Sequence, residues 1–251
     1  MKSKLEFNSE IQKLKFSGHI LLKDFASPNE CNDISETLKL KSYYSANCNE
    51  LHPTIIGGTT FNKHAIAISK TAFRIVTSSF ILDLAESFIG AKPILKCSRS
   101  YSISKFDPLF EWHSDNKDSN NLLDKSKGIV FILFLEDDLD GTFSLVEGIK
   151  NLPNSKSSLP SNEQLKNWSK NNLIRKFPVR KGDLLCFSQD IFHRHVTKRK
   201  KSLNAFWFQI IGEDAGVGER IIFNPSFLEE NNKDRILKYL SSKNKRINLS
   251  F

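Results

Sequence analysis

The chain has 251 residues, of which 39% are hydrophobic and 26% are charged, so it can bury a sizeable core as one large domain or two small ones. The formal net charge of +9 is compatible with a polyanionic partner. The basic residues, however, are spread along the whole sequence and match no nucleic-acid-binding module, which disfavours nucleic acid as a partner and leaves an anionic small molecule open.

Cysteine usage and apolar patterning indicate the compartment. The N-terminal stretch "MKSKLEFNSEIQKLKF" has no apolar h-region, and no apolar run approaches the roughly 20 residues that span a bilayer. We therefore predict a soluble, cytoplasmic protein with no membrane partner. The cysteines form no CxxC pair, which argues against a zinc knuckle and against a disulfide framework; they are Cys31, Cys48, Cys97 and Cys186.

The first half of the chain is predicted to be helical over about residues 26–90. Residues 16–25 predict a short strand. A helix follows, with Ser27 as its N-cap and Pro28 as its first residue. A Gly-containing turn, "IIGGTTFN", follows at residues 55–62. Residues 64–89 have apolar positions mostly three and four apart, which predicts a helix that ends at Gly90.

From about residue 94 to residue 212 the sequence predicts strands. Residues 151–173 are polar and predict a loop with a short helix, and residues 225–243 predict a C-terminal helix capped near residues 224–226. Helices followed by strands without intervening helices favour a mainly β fold, a sandwich or barrel, within a single domain over residues 1–251. The strand-like runs are "ILKCSRSYSIS", "GIVFILFLEDD", "GTFSLVEG", "KFPVRKGDLLCFS" and "SLNAFWFQIIG".

The segment "EWHSDN" at residues 111–116 contains a His-x-Asp pair. Because residues i and i+2 of a strand point the same way, the imidazole of His113 and the carboxylate of Asp115 can converge on one ion, while Ser114 faces away. An isolated His-x-Asp pair is common by chance, so a metal site needs a further ligand from elsewhere in the chain.

The segment "GDLLCFSQDIFH" at residues 182–193 supplies that ligand. Gly182 and Asp183 predict a turn, residues 184–187 predict a buried strand, and His193 follows. Two histidines and one carboxylate on one face of a metal are typical of non-haem iron(II) oxygenases, which keep positions open for cosubstrate and oxygen. His195 is the competitor for the third position, and the step of six residues from Phe187 favours His193.

A basic run, "TKRKKSLN", follows the second histidine. A site for 2-oxoglutarate needs a cation for the distal carboxylate and a hydroxyl for a further hydrogen bond. In a strand Lys200 and Ser202 share one face and can supply both groups, whereas Arg199 and Lys201 share the opposite face. Which of these three cations enters the pocket stays open at this point.

These motifs together resemble the phytanoyl-CoA dioxygenase family of iron(II)- and 2-oxoglutarate-dependent oxygenases. The resemblance covers about residues 16–210 and rests on "WHSDN", "GDLLCFSQDIFH" and the basic-x-Ser element at residues 200–202. It implies a double-stranded β-helix, a jelly-roll or cupin-like core, with flanking N- and C-terminal helices. By the same resemblance Fe(II), 2-oxoglutarate and O2 are cofactor and cosubstrates, and an unactivated C–H of a small-molecule metabolite is hydroxylated with release of succinate and CO2.

Position by position, His113, Asp115 and His193 resemble the iron ligands of that family. Lys200 with Ser202 resembles the element that binds the distal carboxylate of 2-oxoglutarate, although the family usually has Arg there. Tyr101 matches a position that lines the cosubstrate pocket.

Asp115 bears on the reaction type and leaves some alternatives open. In related halogenases the carboxylate is replaced by a small residue so that a halide can bind, so an Asp here favours hydroxylation or desaturation. The alternatives are a hydroxylase of a protein or nucleic acid, supported only by the net charge, and a non-catalytic cupin-like binding module. The sequence defines neither the substrate nor the oligomeric state.

Overall fold

A computed structural model of the chain describes residues 4–39, 54–56, 59–103, 111–116, 127–147, 159–195, 203–213 and 221–240. The helices are α1 (Lys4–Ser17), α2 (Pro28–Glu36), α3 (Ala65–Ile68), α4 (Lys70–Val76), α5 (Ser79–Ile89), α6 (Asn162–Lys170) and α7 (Lys233–Leu240), with a 3-10 turn at Pro225–Phe227. The strands are β1 (His19–Leu22), β2 (Thr54–Ile56), β3 (Thr59–Asn62), β4 (Pro93–Ile103), β5 (Gly128–Phe134), β6 (Phe143–Val146), β7 (Ile174–Lys176), β8 (Leu184–Ser188), β9 (His193–His195) and β10 (Leu203–Gly212).

The strands form two antiparallel sheets. The larger has seven strands in the order β1-β8-β5-β10-β4-β3-β2, and the smaller has three in the order β7-β6-β9. Neighbouring strands are often far apart in sequence, as where β10 pairs with both β4 and β5. This mainly β, jelly-roll architecture with flanking helices confirms the predicted fold class.

Strand β5 shows why the larger sheet lies in the middle of the molecule. All seven residues of "GIVFILF" are buried, because both faces of the strand are covered. Phe131 and Leu133 pack with the helices on one side, and Ile132 and Phe134 pack with residues of the smaller sheet on the other. A continuous apolar run is therefore what this strand requires, and the space between the sheets holds the pocket described below.

The Gly182-Asp183 turn fixes the start of β8. The buried carboxylate of Asp183 accepts hydrogen bonds from the backbone N–H groups of Asp24 and Arg180 and from the Lys23 side chain. Gly182 has a positive φ of 93°, and its carbonyl accepts from the N–H of Ala26. The turn predicted from sequence therefore also holds the segment after β1 against the start of β8.

The N-terminal half differs from the prediction in three ways. Residues 64–89 form three helices instead of one, because the side chains of Ser69 and Ser78 accept hydrogen bonds from backbone N–H groups and begin α4 and α5 as N-caps. Helix α1 was not predicted, although Phe7, Ile11 and Leu14 place apolar side chains on one face of it. The predicted turn at residues 55–62 belongs to a β2–β3 hairpin.

Other predicted elements are confirmed or shifted. Ser27 caps α2 in a capping box with Glu30, as its position indicated. Asn224 is an N-cap, but of the 3-10 turn at Pro225–Phe227, and α7 begins only at Lys233. No helix in the described ranges is long and apolar enough to cross a membrane.

Gly182 provides a test of this packing. We expect Gly182→Ala to lower the free energy of unfolding by about 3 kcal/mol or more, because the added Cβ would overlap the carbonyl oxygen of Ala26 in a left-handed backbone conformation. Gly90→Ala is the matched control, since Gly90 has a φ of 80° but open space at the Cβ position, and about 1–2 kcal/mol is expected. Urea unfolding at neutral pH measures both, and equal losses would contradict the overlap.

Candidate functional site

The His-x-Asp segment lies beside the segment that leads to the second histidine. The N–H of His113 donates to the carbonyl of His193 at 3.0 Å, and the N–H of His193 donates back to the carbonyl of His113 at 2.8 Å. The N–H of Asp115 donates to the carbonyl of Gln189 at 2.9 Å. These antiparallel hydrogen bonds continue the smaller sheet and bring the three predicted ligand residues together.

The three side chains converge as the sequence predicted. Nε2 of His193 lies 3.5 Å from one carboxylate oxygen of Asp115, and Nε2 of His113 lies 3.8 Å from the other. One ligand atom from each of the three residues lies within 4.8 Å of the others, and this is the one such group of His, Cys, Asp or Glu in the described part of the chain. The three residues could therefore hold one metal ion.

The hydrogen bonds of both imidazoles suit a metal. Nδ1 of His113 lies 2.7 Å from the carbonyl of Glu111, and Nδ1 of His193 lies 3.1 Å from the carbonyl of Ile191. Because a carbonyl only accepts, each Nδ1 donates a hydrogen bond, and Nε2 is the ring nitrogen left to bind a metal. One carboxylate oxygen of Asp115 is buried and has no hydrogen-bond partner among the described residues. A divalent cation would satisfy all three groups, so they fit a nitrogen- and oxygen-coordinated metal.

The environment of His193 keeps its ring neutral and fixes its orientation. Burial and the neighbouring His113 lower the pKa of His193 to about 4, against the opposing effect of Asp115. The ring packs against Phe143 and Phe187, with centroids 5.7 and 4.8 Å away. At neutral pH the nitrogen is therefore available as a ligand without losing a proton.

A buried amide network holds the Asp115 backbone. The side-chain amide of Gln209, on β10, donates to the carbonyl of Asp115 at 3.0 Å and to the side-chain oxygen of Gln189 at 2.8 Å. Gly128 leaves room for this network, since a Cβ there would overlap the side-chain amide of Gln189. Neither glutamine was predicted from the sequence, although a Gln inside the apolar strand "AFWFQIIG" is a signal that points to Gln209.

The triad lies in a pocket of about 210 Å³. Tyr101, predicted to line a cosubstrate pocket, is in its wall, and burial together with the charge of Asp115 raises the pKa of its phenol. Tyr101 is therefore a protonated hydrogen-bond donor at neutral pH. The other lining residues are Phe61, Arg99, Ile132, Phe143, His195 and Trp207.

His195 lines the pocket but is not one of the three converging residues. Its Nε2 lies 2.9 Å from the hydroxyl of Thr142, which in turn donates to the carboxylate of Asp138 at 2.5 Å. The geometry thus favours His193 over His195 as the third ligand, as the spacing did. Asp138 also accepts a hydrogen bond from the backbone N–H of Thr142.

The predicted cosubstrate anchors lie outside the described residues. Both Lys200 and Ser202 fall there, as do Arg199 and Lys201. Within the described part of the chain, the cation that lines the pocket is Arg99, which sequence analysis did not single out. Its guanidinium carbon lies 4.7 Å from the centroid of the Trp207 ring, which also lines the pocket.

Many solved structures share this fold, and three of them are described here. SnoN, a non-heme alpha-ketoglutarate-dependent epimerase from nogalamycin biosynthesis, matches with a TM-score of 0.64 and 13% identity over 86% of this chain and 85% of that chain. HygX from Streptomyces hygroscopicus, with nickel, 2-oxoglutarate and hygromycin B bound, matches with a TM-score of 0.64 and 14% identity. The match covers 86% of this chain and 90% of HygX. EctD from S. alaskensis in its apo form matches with a TM-score of 0.64 and 16% identity. The match covers 99% of this chain and 89% of EctD.

At these identities the likeness establishes the fold, which the chain shares with 2-oxoglutarate-dependent enzymes. No protein-family model and no curated protein sequence matches the chain. The resemblance to the phytanoyl-CoA dioxygenase family therefore stays a prediction.

The lowered pKa of His193 predicts how the stability of the metal-free protein depends on pH. Between pH 6.5, the ordinary pKa of the unfolded histidine, and pH 4, the unfolded chain binds a proton that the folded chain does not, so stability falls as the pH falls through this window. Urea unfolding with a chelator present measures the free energy of unfolding at each pH, and its slope against pH gives the number of protons taken up on unfolding. In this window that number should be smaller by about one in His193→Gln than in the wild type. An unchanged slope in the variant would contradict a neutral His193.

Proposed function

We propose that the chain is an Fe(II)- and 2-oxoglutarate-dependent oxygenase that hydroxylates a C–H group of a small-molecule metabolite, with release of succinate and CO2. The observation that carries the proposal is the convergence of His113, Asp115 and His193 in one pocket. Two imidazoles and one carboxylate on one side of an ion leave its other positions for 2-oxoglutarate and oxygen. The shared fold with SnoN and HygX supports the same cofactor chemistry.

The residues of this chain position and shield the reaction. His113 and His193 present their Nε2 atoms toward Asp115, and the three side chains together would hold the metal. Bound iron would supply the activation of oxygen that hydroxylation needs. Phe61 and Ile132 contribute apolar wall, which limits the water that reaches the reacting atoms.

The pocket and the structures that share this fold support the proposed substrate class. HygX has hygromycin B bound and another EctD structure has 5-hydroxyectoine bound, both small molecules, and a pocket of about 210 Å³ is of a size for a group from such a molecule. Since Asp115 fills the position that a halide would need, we propose hydroxylation or desaturation as the outcome. Lys200 and Ser202 remain proposed cosubstrate residues on the basis of the sequence resemblance alone.

Anaerobic titration with Fe(II) and 2-oxoglutarate tests the metal site. We expect a visible metal-to-ligand charge-transfer band in the wild type, and its loss in His113→Ala and His193→Ala, which each remove a ligand nitrogen. His195→Ala is the matched control: it removes an imidazole from the same pocket but outside the triad, so the band should persist. No band in the wild type would overturn the oxygenase and leave the binding-module alternative.

A screen for succinate release over metabolite classes tests the reaction itself. The wild type should release succinate in the presence of Fe(II), oxygen and its substrate, and Asp115→Ala should not, because a ligand and its charge are lost together. Release that depends on a protein or oligonucleotide instead of a metabolite would contradict the proposed substrate class.

Gln209 provides a prediction about how the site is held. Gln209→Leu should weaken Mn(II) binding by about 10- to 100-fold, because the carbonyl of Asp115 loses the amide that fixes it. Asn204→Leu is the control on the same strand, since its amide bonds Glu136 away from the triad. Calorimetric titration measures both affinities, and similar losses in the two variants would show a general effect on β10.

A further inference from the structure

The pocket has a cation in a place where the sequence did not predict one. Strand β10 follows the basic run that the resemblance assigned to the cosubstrate, yet "LNAFWFQIIG" contains no lysine or arginine. The residues of β10 that face the space between the sheets include Ala205 and Trp207. Arg99 comes from the neighbouring strand β4, where it pairs in register with Trp207.

The position of Arg99 suits a preorganised anion site. Its guanidinium carbon lies 4.7 Å from the centroid of the Trp207 ring, so the ring holds the planar group while its N–H donors keep their fork geometry. Arg99 is partly buried, which strengthens its attraction for a negative group relative to a solvent-exposed cation. A planar carboxylate is the ligand that such a fork matches best.

Tyr101 extends this site with a neutral donor. It lies two residues after Arg99 on β4, so both side chains are on the same face of the sheet and both line the pocket. Asp115, one of the metal-binding side chains, lines the same pocket as Arg99 and Tyr101. A guanidinium and a phenol are together complementary to the two oxygens of a carboxylate.

We propose that Arg99, held by Trp207 and assisted by the hydroxyl of Tyr101, binds a carboxylate group of a ligand in this pocket. The proposal rests on the proposed function, because it concerns the same pocket. The carboxylate comes either from the distal end of 2-oxoglutarate or from an acidic primary substrate. In the first case Arg99 takes the role that the sequence suggested for Lys200.

Two 2-oxo acids distinguish these sources. Calorimetry with the Mn(II)-loaded protein compares 2-oxoglutarate with pyruvate, which has the same 2-oxo acid group but no distal carboxylate. If the distal carboxylate is the ligand, Arg99→Gln should weaken 2-oxoglutarate binding roughly 10- to 100-fold, leave pyruvate binding unchanged, and be partly rescued by Arg99→Lys. Arg175→Gln is the matched control, since Arg175 lies over the ring of Phe177 and is not among the pocket-lining residues.

The second comparison addresses an acidic substrate. Metabolites are tested for succinate release as free acids and as their methyl esters at saturating 2-oxoglutarate. If a substrate carboxylate is the ligand, the wild type should prefer the acid by at least about tenfold, and Arg99→Gln should lose this preference while its affinity for 2-oxoglutarate stays unchanged.

The outcomes separate this proposal from the proposed function. Unchanged 2-oxoglutarate affinity together with an unchanged preference for acid over ester in Arg99→Gln would overturn the role of Arg99 and leave the oxygenase intact. A wild type that binds Mn(II) but neither 2-oxo acid would overturn the proposed function and the carboxylate site with it. Mn(II) affinity equal to wild type in Arg99→Gln shows that the variant has kept the metal site.

Discussion

The pair of backbone hydrogen bonds between His113 and His193 is the interaction on which the candidate site depends. These bonds join a segment that follows β4 to the first residue of β9, and they bring the two ring centroids to 4.4 Å. The same alignment positions Asp115, because it lies two residues after His113 in an extended segment. The backbone N–H of Asp115 donates to the carbonyl of Gln189. A shift of this pairing by one residue would turn both ligand side chains away from His193.

The metal-free site contains groups that lower the stability of the folded protein, and packing around the site offsets this loss. A buried carboxylate oxygen without a hydrogen-bond partner among the described residues and a histidine kept neutral by burial are unfavourable in the metal-free protein. The surrounding core compensates, since the aromatic rings of Phe143 and Phe187 enclose His193 and the amide of Gln209 holds the Asp115 backbone. Unfavourable polar groups within an otherwise well-packed core are expected at a ligand- or metal-binding site.

The sequence was most informative where the chemistry is local. His113 and Asp115 are two residues apart, and the strand before His193 is a short apolar run after a turn, so both could be recognised without knowledge of the fold. Residues 64–89 were misjudged because apolar periodicity continues through Ser69 and Ser78, whose capping role depends on a side-chain hydrogen bond that periodicity does not reveal.

The contacts of Arg99 and Gln209 could not be predicted for a different reason. Their partners come from distant strands: Arg99 contacts Trp207, and Gln209 bonds Asp115 and Gln189. The register of β4 against β10 places Arg99 opposite Trp207. The contacts of Gln209 depend in addition on how the segments that contain Asp115 and Gln189 meet β10. Cross-strand register is set by the whole sheet and not by the residues next to a motif.

The balance of charge in the pocket links the metal-binding triad with Arg99. A divalent metal carries two positive charges and Asp115 carries one negative charge, while the imidazoles of His113 and His193 are neutral when they act as ligands. In the proposed complex, 2-oxoglutarate would add two negative charges, which would leave the pocket with one unbalanced negative charge. Burying an unpaired charge costs several kcal/mol by order of magnitude, so a cation in contact with the ligand is required. Arg99 lies in the pocket wall and is charged at every physiological pH, so it can supply that balance without a proton being taken up.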